Sequence, residues 1–341
     1  MEIKKIGIIG QGALGVMYGN YLKKRMGNEN VFFIADEGRV NRYRSADMVC
    51  NGEACGFSYR SPAEAVTADL IIFAVKFMGM ESALETVKPF VGEHTLFLSV
   101  LNGISSEEMI EKAYGADHVL YACVQGMDAG KDGNEVTYKN MGYITIGNKD
   151  RSHDEKLKAV TELFDRTGLA YKVPDDILRE QWNKLMLNTG VNQVTAVYGA
   201  PYSLIQKEGE ARTMMIEAMR EVLRVADTQD IDLTEADIDY WLELLATLNP
   251  EGHTSMCQDV LAGRPTEVDL FAGTMLKIAI PAPGRKGAGA ATSDRGTAAG
   301  KRAGTGPNLG QYGAVKEACP GALQEPSGQA IITTENREIL Y

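Results

Sequence analysis

Two groups of residues in this 341-residue chain have the types and spacings that chemistry requires. The first is Gly10-Gln11-Gly12-Ala13-Leu14-Gly15, which follows the apolar run Ile6–Ile9 and opens a helical pattern. In a strand–turn–helix of this kind the first glycine permits a tight turn, and the second lets a pyrophosphate approach the backbone. The third lets helix and strand pack closely, and the helix N-terminus offers free N–H donors with the positive end of its dipole. Asp36 closes the next apolar run, Val31–Ala35, 21 residues beyond Gly15. That is close to the spacing of about 20 in a dinucleotide fold. A carboxylate there accepts from both adenosine ribose hydroxyls and repels a 2′-phosphate, so the pattern favours NAD over NADP. The plainer alternative makes Asp36 a turn or cap residue, and Arg39 and Arg42 stand near enough to serve a phosphate.

The second group is polar and lies in the later half. Lys184 and Asn188 are four residues apart on a helical pattern. Four residues turn a helix by about 400°, so the two side chains share a stripe, displaced by about 40°. A helix that runs on through Gly190 adds Asn192 to that stripe, with Trp182, Leu185, Met186 and Val191 supplying apolar faces around it. Ser255 and Asp259 are again four apart, and Glu267 follows Arg264-Pro265-Thr266. At a helix N-terminus Glu267 is favoured as a carboxylate by the dipole. Lys76 ends the run Leu70–Val75 and Asn102 follows Thr95–Val100, both at carboxyl ends of strands, where open α/β sheets place ligands. Each of these residues also has an ordinary reading as an exposed lysine, a cap or a loop residue. The four histidines, His94, His118, His153 and His253, have no metal spacing, and no metal site is expected.

The elements that must position these groups follow from periodicity. Runs at Ile6–Ile9, Val31–Ile34, Leu70–Val75, Thr95–Val100 and Val119–Val124 are apolar almost throughout, as strands buried on both faces are. Two shorter strands are expected around Glu135–Tyr138 and Tyr143–Ile146. Helices are expected at Leu14–Met26, Gly79–Val87 and Ser105–Lys112, giving a parallel sheet with helices on its faces. After Val173 the patterns at Asp175–Gly190, Glu208–Asp227, Thr234–Leu248, Thr254–Ala262 and Glu267–Ile280 are helical. The expected fold class is α/β. A Rossmann-type dinucleotide-binding domain (1–170) precedes an all-helical domain (171–282) and a Gly/Ala-rich tail (283–341). From Gly284 to Ala330 there are 11 Gly and 10 Ala in 47 residues, too little apolar surface to offset ordering, so disorder is expected.

Composition narrows the function. With 35 basic and 46 acidic residues the net charge is −11, which gives no general attraction to nucleic acid or an anionic membrane. Five scattered cysteines read as free thiols of a reducing compartment. No apolar stretch is long enough for a secretory signal or a membrane span, so a soluble, cytoplasmic protein is expected.

Taken together, the ordered set resembles the ketopantoate reductase (2-dehydropantoate 2-reductase) family, within the 6-phosphogluconate-dehydrogenase-like group. The resemblance covers roughly residues 1–282. It rests on Gly10–Gly15, Val75-Lys76, Asn102-Gly103, Trp182-Asn183-Lys184-Leu185-Met186-Leu187-Asn188, Ser255-Met256-Cys257-Gln258-Asp259 and Arg264-Pro265-Thr266-Glu267-Val268-Asp269. It implies reduction of ketopantoate to pantoate by NAD(P)H on the route to pantothenate, with Lys184 as proton donor. Asn188, Asn192 and Ser255 would hold the substrate, and Glu267 would contact substrate or cofactor beside Lys184. Lys76 and Asn102 would line the nicotinamide end. Such chemistry suits a lysine: hydride delivery to a ketone leaves charge on oxygen, which an ammonium stabilises and then protonates. The family usually carries arginine at the position of Asp36, matching its NADPH use, so Asp36 points to NADH here. Asn192-Gln193 replaces the usual Asn-Pro, and the tail replaces a last helix. The partner is a small 2-keto acid, with a homodimer left open. The alternatives are a reductase of another small 2-keto acid and a non-catalytic redox sensor.

Overall fold

The computed structural model of the chain describes residues 1–279 and the strand residues 333–334 and 337–338. The expected disordered tail, 283–341, lies outside the described residues apart from those two strands. Twelve strands are described up to Lys172: β1 (Ile6–Ile9), β2 (Val31–Ile34), β3 (Val49–Cys50), β4 (Glu53–Ala54), β5 (Ser58–Arg60), β6 (Leu70–Phe73), β7 (Leu96–Ser99), β8 (Val119–Met127), β9 (Gly130–Asp132), β10 (Glu135–Thr137), β11 (Met141–Gly147) and β12 (Tyr171–Lys172). Interleaved with them are α1 (Ala13–Met26), α2 (Glu37–Ser45), α3 (Met80–Val87), α4 (Ser106–Tyr114) and α5 (Glu155–Thr167). Then come α6 (Ile177–Leu187), α7 (Gln193–Tyr198), α8 (Ser203–Gln206), α9 (Glu210–Asp227), α10 (Glu235–Thr247), α11 (Ser255–Leu261) and α12 (Val268–Ala279).

The main sheet has eight strands in the order β12-β11-β8-β7-β6-β1-β2-β5. β1, β2, β6 and β7 are buried at every position, as their unbroken apolar runs require. One face packs Ile6, Ile8, Leu70, Ile72 and Leu98 with residues of α1 and α5. The other packs Ile71, Phe73 and Phe97 with residues of α3 and α4. The helical half has its own core, in which Trp182 and Met186 of α6 meet Met215, Met219, Trp241 and Phe271.

Three features depart from the sequence reading. The strand at Glu135–Thr137 is not in the main sheet; it joins a small four-stranded sheet, β4-β3-β10-β9. β11 pairs antiparallel with β8, because the short excursion between them is a hairpin-like return, not a helical crossover. α2 and α5 were not anticipated, although Leu157, Val160, Leu163 and Phe164 carry helical spacing and Asp154 caps α5 by accepting from Leu157 N at 2.9 Å. The sheet takes Tyr171–Lys172 as its last strand. We therefore propose a break between the two halves at 172–177, slightly past the expected residue 170.

Candidate active site

Beyond β1 the chain turns over Gly10 into α1. Gly10 has φ +107°, and a Cβ there would overlap the main chain of Ala74, the residue following β6. A Cβ at Gly15 would overlap the Gly10 carbonyl, so this glycine lets α1 begin hard against the turn. Gly12 is different. Its φ of −79° suits any residue, and a Cβ there would meet only Ala74 O, at 3.6 Å. Nothing in the protein requires glycine at that point; what its hydrogen preserves is an open cradle above the turn. No described side chain caps α1, so the first-turn N–H groups, around Ala13, Leu14 and Gly15, remain available. An open cradle over free donors fits a dinucleotide pyrophosphate.

The turn is held from both sides. Gln11 Nε2 donates to Tyr59 Oη at 2.7 Å, so this side chain is engaged within the protein. Lys131 Nζ, on β9 of the small sheet, donates to Gln11 O at 2.6 Å. Burial lowers the Lys131 pKa. Lys131 and Tyr59 were not singled out in the sequence, because neither lies near the turn in the chain. At the end of β2, Asp36 caps α2 by accepting from Arg39 N at 2.8 Å, and Arg39 Nε stands 3.5 Å from its other oxygen. The cap reading is therefore realised in the structure. Asp36 remains half exposed at the sheet's carboxyl edge, compatible with a ribose contact as well.

Across the same edge stands the polar cluster. Lys184 Nζ donates to Asn102 Oδ1 at 2.9 Å, and Asn102 Nδ2 donates to Glu267 Oε2 at 3.1 Å. Three separated segments thus meet: the loop after β7, helix α6 and the residue preceding α12. Lys184 is 7% exposed, and burial lowers its pKa. Cys123, Glu267 and Glu107 oppose that shift, in that order. Burial pushes the Cys123 thiol up to about 11, so at neutral pH the thiol is uncharged and the two carboxylates carry the opposition. α6 does not stop at Leu187. It continues as a wide turn over Asn188–Asn192, a π-type widening of the kind often found at functional sites, and resumes as α7. Asn188, Asn192 and Thr189 are all buried there. Asn188 Nδ2 has no hydrogen-bond partner among the described residues, a donor left for something else.

The remaining expected residues are distributed less tightly. Lys76 was expected to line the nicotinamide end. Its ammonium lies 2.8 Å from Asp259 Oδ2, which ties the segment after β6 to α11. Arg264 Nε holds the other oxygen of Asp259 at 2.7 Å. Ser255 is exposed on the first turn of α11, whose N-terminus is capped by Thr254; α11 packs against α7 and the wide turn. Glu267 immediately precedes α12, its carbonyl accepting from Leu270 N at 2.9 Å. No cluster of metal-ligating side chains exists among the described residues, and no described helix is long and apolar enough to cross a membrane.

Residues 6–151 match the family described as ketopantoate reductase PanE/ApbA, and residues 176–282 match its C-terminal counterpart. A protein of Pyrococcus horikoshii named 2-dehydropantoate 2-reductase is 25% identical over 281 residues, which cover 81% of this chain and 90% of that one. The solved 2-dehydropantoate 2-reductase of Geobacter metallireducens is similar in fold, with a TM-score of 0.71 and 24% identity over 80% of this chain and 92% of its own. A D-mandelate dehydrogenase solved with NADH also has a TM-score of 0.71, with 24% identity over 81% of this chain and 91% of its own.

Proposed function

The chain belongs to the ketopantoate reductase family of nicotinamide-dependent oxidoreductases, and from that premise we propose that it reduces ketopantoate to pantoate. The observation that carries this reading is the chain from buried Lys184 through half-buried Asn102 to half-buried Glu267, beside the unpartnered Asn188 Nδ2.

The reduced nicotinamide, when bound, supplies the hydride. Lys184 then stabilises the alkoxide oxygen left on the substrate and gives it a proton from Nζ. Asn102 fixes the ammonium through one acceptor and passes the carboxylate field of Glu267 to it through its other end. Asn188, with Asn192 and Ser255, supplies uncharged donors for the substrate's carboxylate or hydroxyl. Gly10, Gly12, Ala13, Leu14 and Gly15 cradle the pyrophosphate, and Asp36 takes the ribose in preference to a 2′-phosphate. On this reading NADH is favoured over NADPH.

The test is oxidation of NADH and of NADPH, followed by absorbance, with ketopantoate and with a panel of other 2-keto acids. Ketopantoate should give the highest kcat/KM, with NADH ahead of NADPH. Lys184→Ala should lose ~10²–10⁴-fold in kcat while still binding NADH. No turnover of any 2-keto acid by a chain that binds NADH would support a redox sensor instead. A preference for another keto acid would remove the narrower assignment, and an NADPH preference would remove the role given to Asp36.

A further inference from the structure

Glu107 lies in the first turn of α4 with 1% of its surface exposed, and nothing in the reaction outlined above employs it. A carboxyl group so placed needs its oxygens satisfied. Oε1 accepts from Gln181 Nε2 at 2.8 Å and from Ala122 N at 3.3 Å. Oε2 accepts from Ser106 Oγ at 2.8 Å, and that hydroxyl lies 2.8 Å from Ser99 Oγ at the end of β7. Gln181 Nε2 also donates to Ala122 O at 2.9 Å, so its amide is engaged with both β8 and α4.

Gln181 precedes Lys184 by three residues on α6, which puts the two on neighbouring turns of one stripe. The segment leaving β7 supplies a partner to each: Asn102 to Lys184 and Glu107 to Gln181. α6 is therefore fastened to that segment at two points. A lysine tip on four flexible methylenes keeps a fixed position only if the helix beneath it is fixed too. Resting on the reading given under Proposed function, we propose that Glu107 and Gln181 form a buried clamp that sets where Lys184 presents its ammonium to the substrate. Glu107 is a positioning residue in this arrangement, and its carboxylate is also part of the field around the lysine.

The charged surroundings are few. Lys184 is faced by Cys123 of β8, by Glu267 ahead of α12 and by Glu107 of α4. Glu107 is in turn felt by Tyr121 and Cys123 of β8, and Glu180 of α6 also bears on Cys123. Burial raises both Tyr121 and Cys123 well above neutrality, so neither is charged at working pH. Burial pushes Glu107 itself up to about 7, against the pull of its hydrogen bonds. Near neutral pH Glu107 is therefore about half ionised, and its ionised fraction joins Glu267 in favouring the ammonium form of Lys184.

Two variants separate position from charge. Gln181→Met keeps the volume and removes the amide; it should lower kcat by about tenfold or more, with NADH affinity unchanged. Glu107→Gln can keep the clamp, with its new amide donating to Ser106 while Ser106 Oγ turns to Ser99. It removes the charge, so the ammonium of Lys184 loses support and its pKa falls. The basic limb of the kcat profile and the ¹³Cε titration of Lys184, assigned by its loss in Lys184→Met, should both move to lower pH. An unmoved Lys184 titration in Glu107→Gln would overturn the proposal, as would a folded Gln181→Met with wild-type kcat. Should Gln181→Met fail to fold, Gln181→Asn, whose amide is drawn back from Glu107 by one methylene, takes its place with the same expectation and the same overturning result. The ¹³Cε signal of Lys184 in the Gln181 variant needs no turnover; its displacement supports the clamp, and an unchanged signal overturns it, even if no 2-keto acid proves to be a substrate.

Discussion

Gly12 is a residue whose identity the protein's own packing does not explain. Gly10 and Gly15 are dictated by overlap with main-chain atoms, and substitution at either strains the turn itself. At Gly12 an added methyl would sit in ordinary contact with Ala74 O and in otherwise open space. The physical consequence is a separation of effects. Gly12→Ala should melt close to the wild type, since its extended backbone suits alanine without a clash and the lost freedom of the unfolded chain offsets alanine's poorer capping. The methyl would stand where the pyrophosphate must meet the backbone, so NADH affinity should weaken by about tenfold or more, given that charge-assisted hydrogen bonds contribute ~1.5–3 kcal/mol each. Calorimetric titration with NADH beside a thermal melt checks both halves. Equal affinity in the two proteins would mean that the cradle over α1 is not where the phosphates lie.

At the scale of elements, the wide turn between α6 and α7 carries Asn188 and Asn192 and is wedged against α9. A Cβ at Gly190 would come within 2.5 Å of Met219 Cγ and 3.0 Å of Met215 O. Met219 must change rotamer to clear its Cγ, and the α9 carbonyl cannot move without its helix. Gly190→Ala should therefore cost ~1–3 kcal/mol of stability and shift the two asparagines, raising KM for the keto acid more than that for NADH. A melt and paired KM measurements test this; an unchanged KM for the keto acid would detach the turn from substrate binding. The same elements explain what the sequence made legible. Gly10–Gly15, Lys184, Asn188 and Asn192 could be read because each set lies within one local element, where spacing fixes geometry. The continuation of α6 past Gly190 could be stated only as a condition, since a widened turn leaves no periodic mark. Tyr59, Lys131, Glu107 and Gln181 were invisible for a different reason. Their partners are 48, 120 and 74 residues away, brought close by sheet order and by a second small sheet whose strands are two or three residues long. No short window encodes such pairings.

For the whole molecule, the sheet half and the helical half meet through polar contacts of unequal weight. Lys76–Asp259 has a lysine 55% exposed and belongs to the class of ion pairs that contributes ~0–1 kcal/mol. Lys184–Asn102 is part-buried and Gln181–Glu107 fully buried, and the second carries a linkage to pH. The Glu107 carboxyl has its pKa raised by burial to about 7, above its value in an unfolded chain. The folded state therefore holds this proton more tightly. The contribution is fully present below the unfolded value of about 4.3 and is lost as pH rises through about 7, a swing on the order of 3 kcal/mol. Carboxyl groups whose pKa is lowered in the fold, such as Glu53, Glu64, Asp128 and Asp150, act in the opposite sense. They are common to the wild type and Glu107→Gln, so the difference between the two stability curves isolates Glu107. Urea unfolding from pH 4.5 to 8 should show that difference growing in favour of Glu107→Gln as pH rises, with most of the change below pH 7. Parallel curves would mean that Glu107 keeps an ordinary carboxyl pKa, either because water reaches it or because its three donors fully offset burial. In that case the charge beside Lys184 would be permanent across the physiological range, and its support of the ammonium would not vary with pH.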